Sequence, residues 1–210
     1  DVTGQRLKHR MVMVGAEVLG WRFRRLLDPA RERVGVLLPN VNGTPITLLA
    51  LWRIGRIPAV LNYSSGVPLM LTCSELAGVR QVITSRLFLA KAKLDVAPME
   101  AAGIEFIYLE DIRKNIPGLA KLGVLLRHWL AFGQARFNIP GDRTAVILFT
   151  SGSEGVPKGV ELTHRNILAN LRQLFAAVDV TDTDSLFNCL PMFHSFGLVV
   201  GTLLPLCRGI

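Results

Sequence analysis

Short apolar runs alternate with helix-type patterns along this chain, and this alternation limits the possible folds more than any other feature. Residues 34–38 are wholly apolar and mostly branched, which is typical of a strand buried on both faces. Similar runs recur at residues 57–61, 81–84, 104–109, 145–149 and 186–190. Helix patterns separate them at 44–54, 68–77, 86–102 and 164–178, and an apolar helix follows from Ser195. Within 86–102, Pro98 marks an interruption or a second helix start. Strands that alternate with helices predict an α/β fold with mostly parallel sheets covered by helices.

The composition supports a folded core and leaves several classes of partner open. Half of the 210 residues, 50%, are apolar and only 19% are charged, which excludes disorder as the dominant state. The net charge of +8 is compatible with nucleic acid, an anionic membrane surface or phosphate-bearing small molecules. Nucleic acid is the weakest of the three, because the charge is scattered and no aromatic–basic recognition motif is present.

The cysteines limit the chemistry further. Cys73, Cys189 and Cys207 are far apart and odd in number, so they form neither a metal-type spacing nor a disulfide framework. This pattern favours a reducing compartment. We predict no metal-ligating residues in the chain, and no run reaches the roughly 20 apolar residues of a membrane span.

One shift in composition divides the chain. Residues 112–138 carry five Lys and Arg and no Asp or Glu. We place a boundary just after this stretch, which predicts a first α/β sub-section at 1–140 and the start of a second at 141–210. Two interpretations of the basic stretch remain open: a core-facing helix with a solvated basic side, or a helix on an anionic membrane surface with Trp129 at the interface.

The strand at 145–149 runs into a loop rich in hydroxyl groups and glycines. Glycine lets backbone N–H groups approach a ligand, and successive N–H groups can form an anion-binding concavity. The hydroxyls add donors, and the Lys158 ammonium is suited to phosphate. Open α/β sheets bind ligands at the carboxyl ends of their strands. We therefore predict a phosphate-binding loop that contains Thr150, Ser151, Gly152, Ser153, Glu154, Gly155 and Lys158.

The loop is not a Walker-type P-loop. That motif requires Lys between Gly and Ser or Thr, whereas Lys158 lies between Pro157 and Gly159. Three segments instead resemble motifs of the acyl-adenylate-forming, or AMP-binding, superfamily. They are FTSGSEGVPKG at 149–159, LPMFHSFG at 190–197 and LWRIGRIPAVLN at 51–62.

The resemblance implies a reaction and roles for particular residues. Members of the superfamily use ATP and Mg²⁺ to convert a carboxylate into an acyl-adenylate, which is then passed to a thiol. Carried over to this chain, the resemblance implies catalytic roles for Lys158 and His194 and nucleotide binding by the predicted phosphate-binding loop. It also implies an acyl pocket wall that contains Phe193, His194 and Gly197.

Four further segments resemble one branch of the superfamily. They are Ser-Glu-Gly at 153–155, LNYSSG at 61–66, YLEDIR at 108–113 and FHSFGL at 193–198. This branch is the acyl-acyl carrier protein synthetase portion of bifunctional 2-acylglycerophosphoethanolamine acyltransferases. The resemblance implies fatty acid and acyl carrier protein as partners, a role in lysophospholipid reacylation, and a location in the bacterial cytoplasm at the inner membrane. A long-chain acyl-CoA synthetase and a non-catalytic lipid- or membrane-binding module remain alternatives.

Further expectations concern the extent of the chain and the helix that begins at His164. The motifs belong to the first part of the family's large N-terminal domain, so we expect the C-terminal domain to be absent and the 210 residues to be inactive by themselves. Thr163 is a typical helix N-cap, which gives His164 a structural role. Because helix 164–178 follows the predicted phosphate-binding loop, its N-terminus is expected to favour anions there.

Overall fold

The fold is described from a computed structural model that covers residues 6–114, 139–150, 152, 156–181 and 183–210. The first part contains helix α1 (His9–Leu26), strand β1 (Arg33–Val36), helix α2 (Gly43–Arg53) and strand β2 (Ile57–Val60). A 3₁₀ turn (Tyr63–Ser65), α3 (Val67–Leu76), β3 (Gln81–Thr84), α4 (Arg86–Ala92), α5 (Ala97–Ala101), β4 (Glu105–Tyr108) and α6 (Leu109–Lys114) follow. After residue 139 come β5 (Thr144–Thr150), β6 (Lys158–Thr163), α7 (His164–Ala177), α8 (Ser195–Leu198), a π-helical turn (Val199–Leu203) and α9 (Leu204–Arg208).

The strands form one six-stranded sheet in the order β4-β3-β1-β2-β5-β6. The first five strands in this order pair in parallel, and β6 is antiparallel to β5 at the edge. The predicted mostly parallel α/β fold is therefore confirmed. Strand β5, which follows the boundary predicted near residue 140, pairs with β2 of the first part. The division into sub-sections 1–140 and 141–210 stays a prediction.

Each face of the sheet is covered by its own apolar cluster. On one face, helices α1, α2 and α7 contribute buried side chains that include Phe23, Leu48 and Leu171. On the other, α3 and α4 contribute Met70 and Phe88 among others. The central strands are buried on both sides, as their branched apolar sequences predict. This double cover leaves the two ends of the strands as the accessible parts of the sheet.

Several local predictions are wrong or incomplete. The strand predicted at 186–190 does not form: these residues have no strand partner among the described residues, and Phe187 is 90% exposed. The helical region predicted at 86–102 is interrupted, as Pro98 indicated: α4 ends at Ala92, and Pro98 lies in the first turn of α5. Helix α1 and strand β6 were not predicted.

Two sequence predictions concern the basic stretch and membrane spans. Most of the basic stretch predicted to be a core-facing or membrane-surface helix, residues 115–138, lies outside the described residues. Within the described part of the chain, every helix is too short or too polar to span a bilayer.

Candidate functional site

The predicted site residues that the structure describes lie at or beyond the carboxyl ends of the parallel strands. Thr150 is the last residue of β5, and β6 begins at Lys158. The residue pairing of the two antiparallel strands places Thr150 directly opposite Lys158. Both side chains are exposed, and none of the described acidic residues forms an ion pair with Lys158. A hydroxyl and an ammonium group therefore flank the base of the predicted phosphate-binding loop.

Gly152 is the other member of this predicted loop that the structure describes. Its φ of +59° lies in the left-handed region, which a side chain disfavours. A Cβ at this position would also overlap the carbonyl oxygen of Val156. Glycine is thus required by the loop's own backbone. Ser151, Ser153, Glu154 and Gly155 lie outside the described residues.

The N-terminus of α7 does not point at this loop. The prediction that it favours anions there is therefore wrong. Strand β6 runs back along β5, so that Thr163 pairs with Thr144 at the amino end of the sheet. Six residues at about 3.3 Å each place the start of α7 roughly 20 Å from the loop. The capping role of Thr163 is confirmed, because its hydroxyl accepts the Asn166 N–H at 3.1 Å.

His164 lies at this distant edge and is structural. Its ring meets Trp52 edge-on, with the centroids 6.1 Å apart. Burial, together with the positive charge of Arg143, lowers the pKa of His164 below its ordinary value. The ring therefore stays neutral down to a lower pH in the folded protein than in the unfolded chain.

The segment that contains His194 is a turn leading into α8. Phe193 is buried, whereas the adjacent His194 is exposed and occupies the N-cap position. The two rings lie 4.7 Å apart. Gly197 is also enclosed, because a Cβ there would overlap the carbonyl oxygen of Pro191. This geometry exposes the imidazole at the surface of the turn while the ring of Phe193 anchors it.

Two residues that sequence reasoning did not assign to the site hold this segment. Asn40, just beyond β1, makes hydrogen bonds to Leu190 and Met192. Tyr63, just beyond β2, packs edge-on against Phe193 with the ring centroids 5.0 Å apart. Their position directly after predicted strands is the signal that could have identified them, since ligand sites of open α/β sheets occur there.

The predicted phosphate-binding loop and the His194 segment therefore lie at the same edge of the sheet. The first follows β5, and the second is tethered beyond β1, with β2 between them. Adjacent strands are about 4.8 Å apart, so β1 and β5 are separated by roughly 10 Å. The described residues contain no group of three His, Cys, Asp or Glu that could hold a metal ion. The Thr150 hydroxyl and the Lys158 ammonium are hydrogen-bond donors, which suit an anion.

The protein is an α/β protein with a mostly parallel sheet, and exposed polar groups lie at the carboxyl ends of its strands. Open α/β sheets bind their ligands at this position. The sequence profile described as AMP-binding enzyme matches residues 7–210, so the chain belongs to this family.

Curated relatives agree with this assignment. The 4-coumarate–CoA ligase-like 8 protein of Arabidopsis thaliana is 31% identical over 180 residues, which are 83% of this chain and 31% of the relative. The medium-chain fatty-acid–CoA ligase of Escherichia coli is 45% identical over 69 residues, 33% of this chain and 12% of the relative. The chain thus spans about a third or less of these relatives, 31% and 12%.

Among solved structures, the N-terminal domain of FACL13 from Mycobacterium tuberculosis superposes with a TM-score of 0.79 and 22% identity. The match covers 99% of this chain and 50% of that one. It establishes that the chain has the fold of the N-terminal domain of adenylate-forming enzymes.

Proposed function

We propose that the protein is an ATP-dependent, AMP-forming acyl ligase in which this chain supplies the phosphate-binding loop and part of the acyl pocket. The observation that carries the proposal is the arrangement of the loop. Thr150 and Lys158 face each other at its base, and the backbone requires Gly152, in a chain that belongs to the AMP-binding enzyme family. Exposed donors and an ammonium that pairs with none of the described acidic residues suit the phosphates of ATP.

In the proposed first step, a carboxylate oxygen attacks the α-phosphorus of ATP, an acyl-adenylate forms and pyrophosphate leaves. Negative charge then grows on the departing phosphates. Lys158 and the Thr150 hydroxyl would stabilise this charge through hydrogen bonds fixed before the reaction. We include Mg²⁺ as a cofactor, which would neutralise further phosphate charge. The O-succinylbenzoate coenzyme A synthetase of Bacillus subtilis, which is similar in fold at 18% identity, has been solved in complex with ATP and a magnesium ion.

In the proposed second step, a thiol attacks the acyl carbonyl and AMP leaves. We propose a fatty acid as the carboxylate and the phosphopantetheine of acyl carrier protein as the thiol. Coenzyme A is the second candidate, because the curated relatives include medium-chain and long-chain fatty-acid–CoA ligases. A competition assay between acyl carrier protein and coenzyme A, with one radiolabelled fatty acid, distinguishes the two acceptors.

A groove lined mainly by apolar side chains supports a fatty acid. A groove of about 320 Å³ runs between α7 and α8, next to the exposed ring of Phe196. Its apolar lining comes from Leu162, Ile167, Phe196, Val199 and Val200. We further propose that the reaction serves lysophospholipid reacylation at the cytoplasmic face of the bacterial inner membrane.

The test is fatty-acid-dependent exchange of radiolabelled pyrophosphate into ATP by the full-length protein. His194→Ala is expected to change the kcat and KM for fatty acid while the KM for ATP stays within about threefold. His164→Gln, at the opposite edge of the sheet, is the matched control. No exchange by the wild-type protein with any fatty acid would refute the proposed function. Unchanged fatty-acid kinetics in His194→Ala would remove His194 from the acyl pocket.

A further inference from the structure

The side chain of Asn40 bridges two parts of the chain that are distant in sequence. Its Nδ2 donates to the carbonyl oxygen of Leu190 at 2.7 Å, and its Oδ1 accepts the Met192 N–H at 3.2 Å. One carboxamide thus pairs with the backbone on both sides of Pro191, as a neighbouring strand would. These bonds span 150 and 152 residues.

The loop that carries Asn40 is held by other hydrogen bonds. The carbonyl oxygen of Pro39 accepts the Val41 N–H at 2.9 Å and the Thr44 hydroxyl at 2.5 Å. The Thr44 N–H donates to the Val41 carbonyl oxygen at 2.9 Å. Because these local bonds do not involve the Asn40 carboxamide, that group is available to hold the 190–192 segment.

The side chains of Met192 and Phe193 are buried in the apolar cluster that covers the sheet, but the backbone before them is not part of the sheet. Residues 186–190 pair with no described strand, and Leu190 is exposed. The ring of Phe193 contacts Tyr63, which in turn contacts Phe88 with the ring centroids 5.2 Å apart. Asn40 and Tyr63 follow neighbouring strands, β1 and β2, at the carboxyl edge. The hydrogen bonds of Asn40, the aromatic contact of Tyr63 and the burial of Met192 therefore fix the turn immediately before His194.

We propose that Asn40 is a positioning residue, which orients His194 at the acyl pocket by holding the backbone of residues 190–192. Tyr63 provides the second contact by bracing Phe193. The catalytic part of this proposal rests on the proposed function. The orientation of the segment is a separate physical claim and can be measured without any substrate.

Two variants test the role of Asn40 in the full-length protein. Asn40→Ala removes both hydrogen bonds. Asn40→Asp has nearly the same shape and still accepts the Met192 N–H, but it cannot donate to Leu190 and places a negative charge beside that carbonyl. Both variants are expected to lower kcat/KM for fatty acid about tenfold or more, with the KM for ATP within about threefold.

Gln81→Ala is the matched control. Gln81 is a buried carboxamide that also links distant residues, since its Oε1 accepts the Asp28 N–H at 2.8 Å and its Nε2 donates to Glu105 at 2.7 Å. It lies at the amino edge of the sheet, because β3 begins there. Gln81→Ala is expected to lower the stability of the protein. It is not expected to lower kcat/KM for fatty acid selectively, with the KM for ATP unchanged.

Hydrogen exchange at the Met192 amide separates the two proposals. Asn40→Ala is expected to accelerate this exchange about tenfold or more, while amides of β1 keep wild-type rates. If the wild-type protein forms no adenylate but Met192 exchange accelerates, the proposed function fails and the structural role of Asn40 is supported. Unchanged Met192 exchange, or equal effects of Asn40→Ala and Gln81→Ala on fatty-acid kinetics, would overturn the role of Asn40.

Discussion

Replacement of Trp52 by phenylalanine tests how the strand that carries the predicted phosphate-binding loop is fixed. The indole Nε1 of Trp52, on α2, donates to the carbonyl oxygen of Ala145 at 2.6 Å. Ala145 is fully buried, and the pairing of β5 with β6 is irregular between Thr144 and Val146. Trp52→Phe would thus leave a buried acceptor without this donor at a point where the strand pairing is already interrupted.

The expected loss follows from three contributions. An unsatisfied buried carbonyl costs about 1–3 kcal/mol. The smaller phenyl ring gives up roughly 1 kcal/mol of apolar contact. The edge-on contact with His164, with centroids 6.1 Å apart, weakens as well. We therefore expect Trp52→Phe to lower the free energy of unfolding by about 2–4 kcal/mol.

Trp21→Phe is the control for this experiment. Trp21 is 39% exposed on α1, and its ring lies 4.1 Å from the guanidinium of Arg25. Its replacement should cost only about 0.5–1 kcal/mol, the value of an exposed cation–π contact. Equilibrium unfolding in urea, followed by far-UV circular dichroism, measures both losses of unfolding free energy. The comparison requires that the variants share the same m-value, the dependence of this free energy on urea concentration. The reasoning is refuted if Trp52→Phe loses no more stability than Trp21→Phe.

The remaining predictions concern the predicted phosphate-binding loop and the distant histidine. Lys158→Ala should reduce ATP-dependent pyrophosphate exchange by about 10–150-fold, since a charge-assisted phosphate contact is lost, whereas Lys91→Ala on α4 should have no effect. Gly152→Ala should impair exchange, because the left-handed backbone and the Val156 carbonyl both exclude a side chain; wild-type rates would contradict this. The pKa of His164 is lowered in the folded state by burial, so stability is complete above about pH 6.5 and decreases as the pH falls through the lowered pKa. Thermal unfolding should lose this acid dependence in His164→Gln, and an unchanged dependence would assign it to another group.

The strands of the parallel sheet could be predicted because each is determined locally. Residues 33–36 and 57–60 lie between helices that cover both faces, so nearly every position is apolar. Strand β6 could not be predicted in this way. Its residues Lys158–Thr163 are mostly exposed, and they form a strand because β5 offers a free edge for antiparallel pairing. Nothing in their own pattern requires that conformation.

Helix α1 was missed for a related reason. Gly15 and Gly20 lower its helix propensity, yet both let α2 approach closely, at Ile46 and Ala50 respectively. The opposite error occurred at residues 186–190, where an apolar pattern resembles a strand. There Asn188 instead accepts the Leu190 N–H in a local turn, and no described strand lies alongside.

The α/β class, the family motifs and the composition of the predicted phosphate-binding loop could be read from the sequence, because these depend on residues adjacent in the chain. Tertiary structure alone decided which groups meet at the carboxyl edge. It placed Asn40 and Tyr63 against the His194 segment, and it moved the start of α7 to the opposite edge. Contacts between residues 150 positions apart depend on strand order and on the direction of each strand. Neither is encoded in the local alternation of apolar and polar residues, which is the reason these contacts could not be predicted.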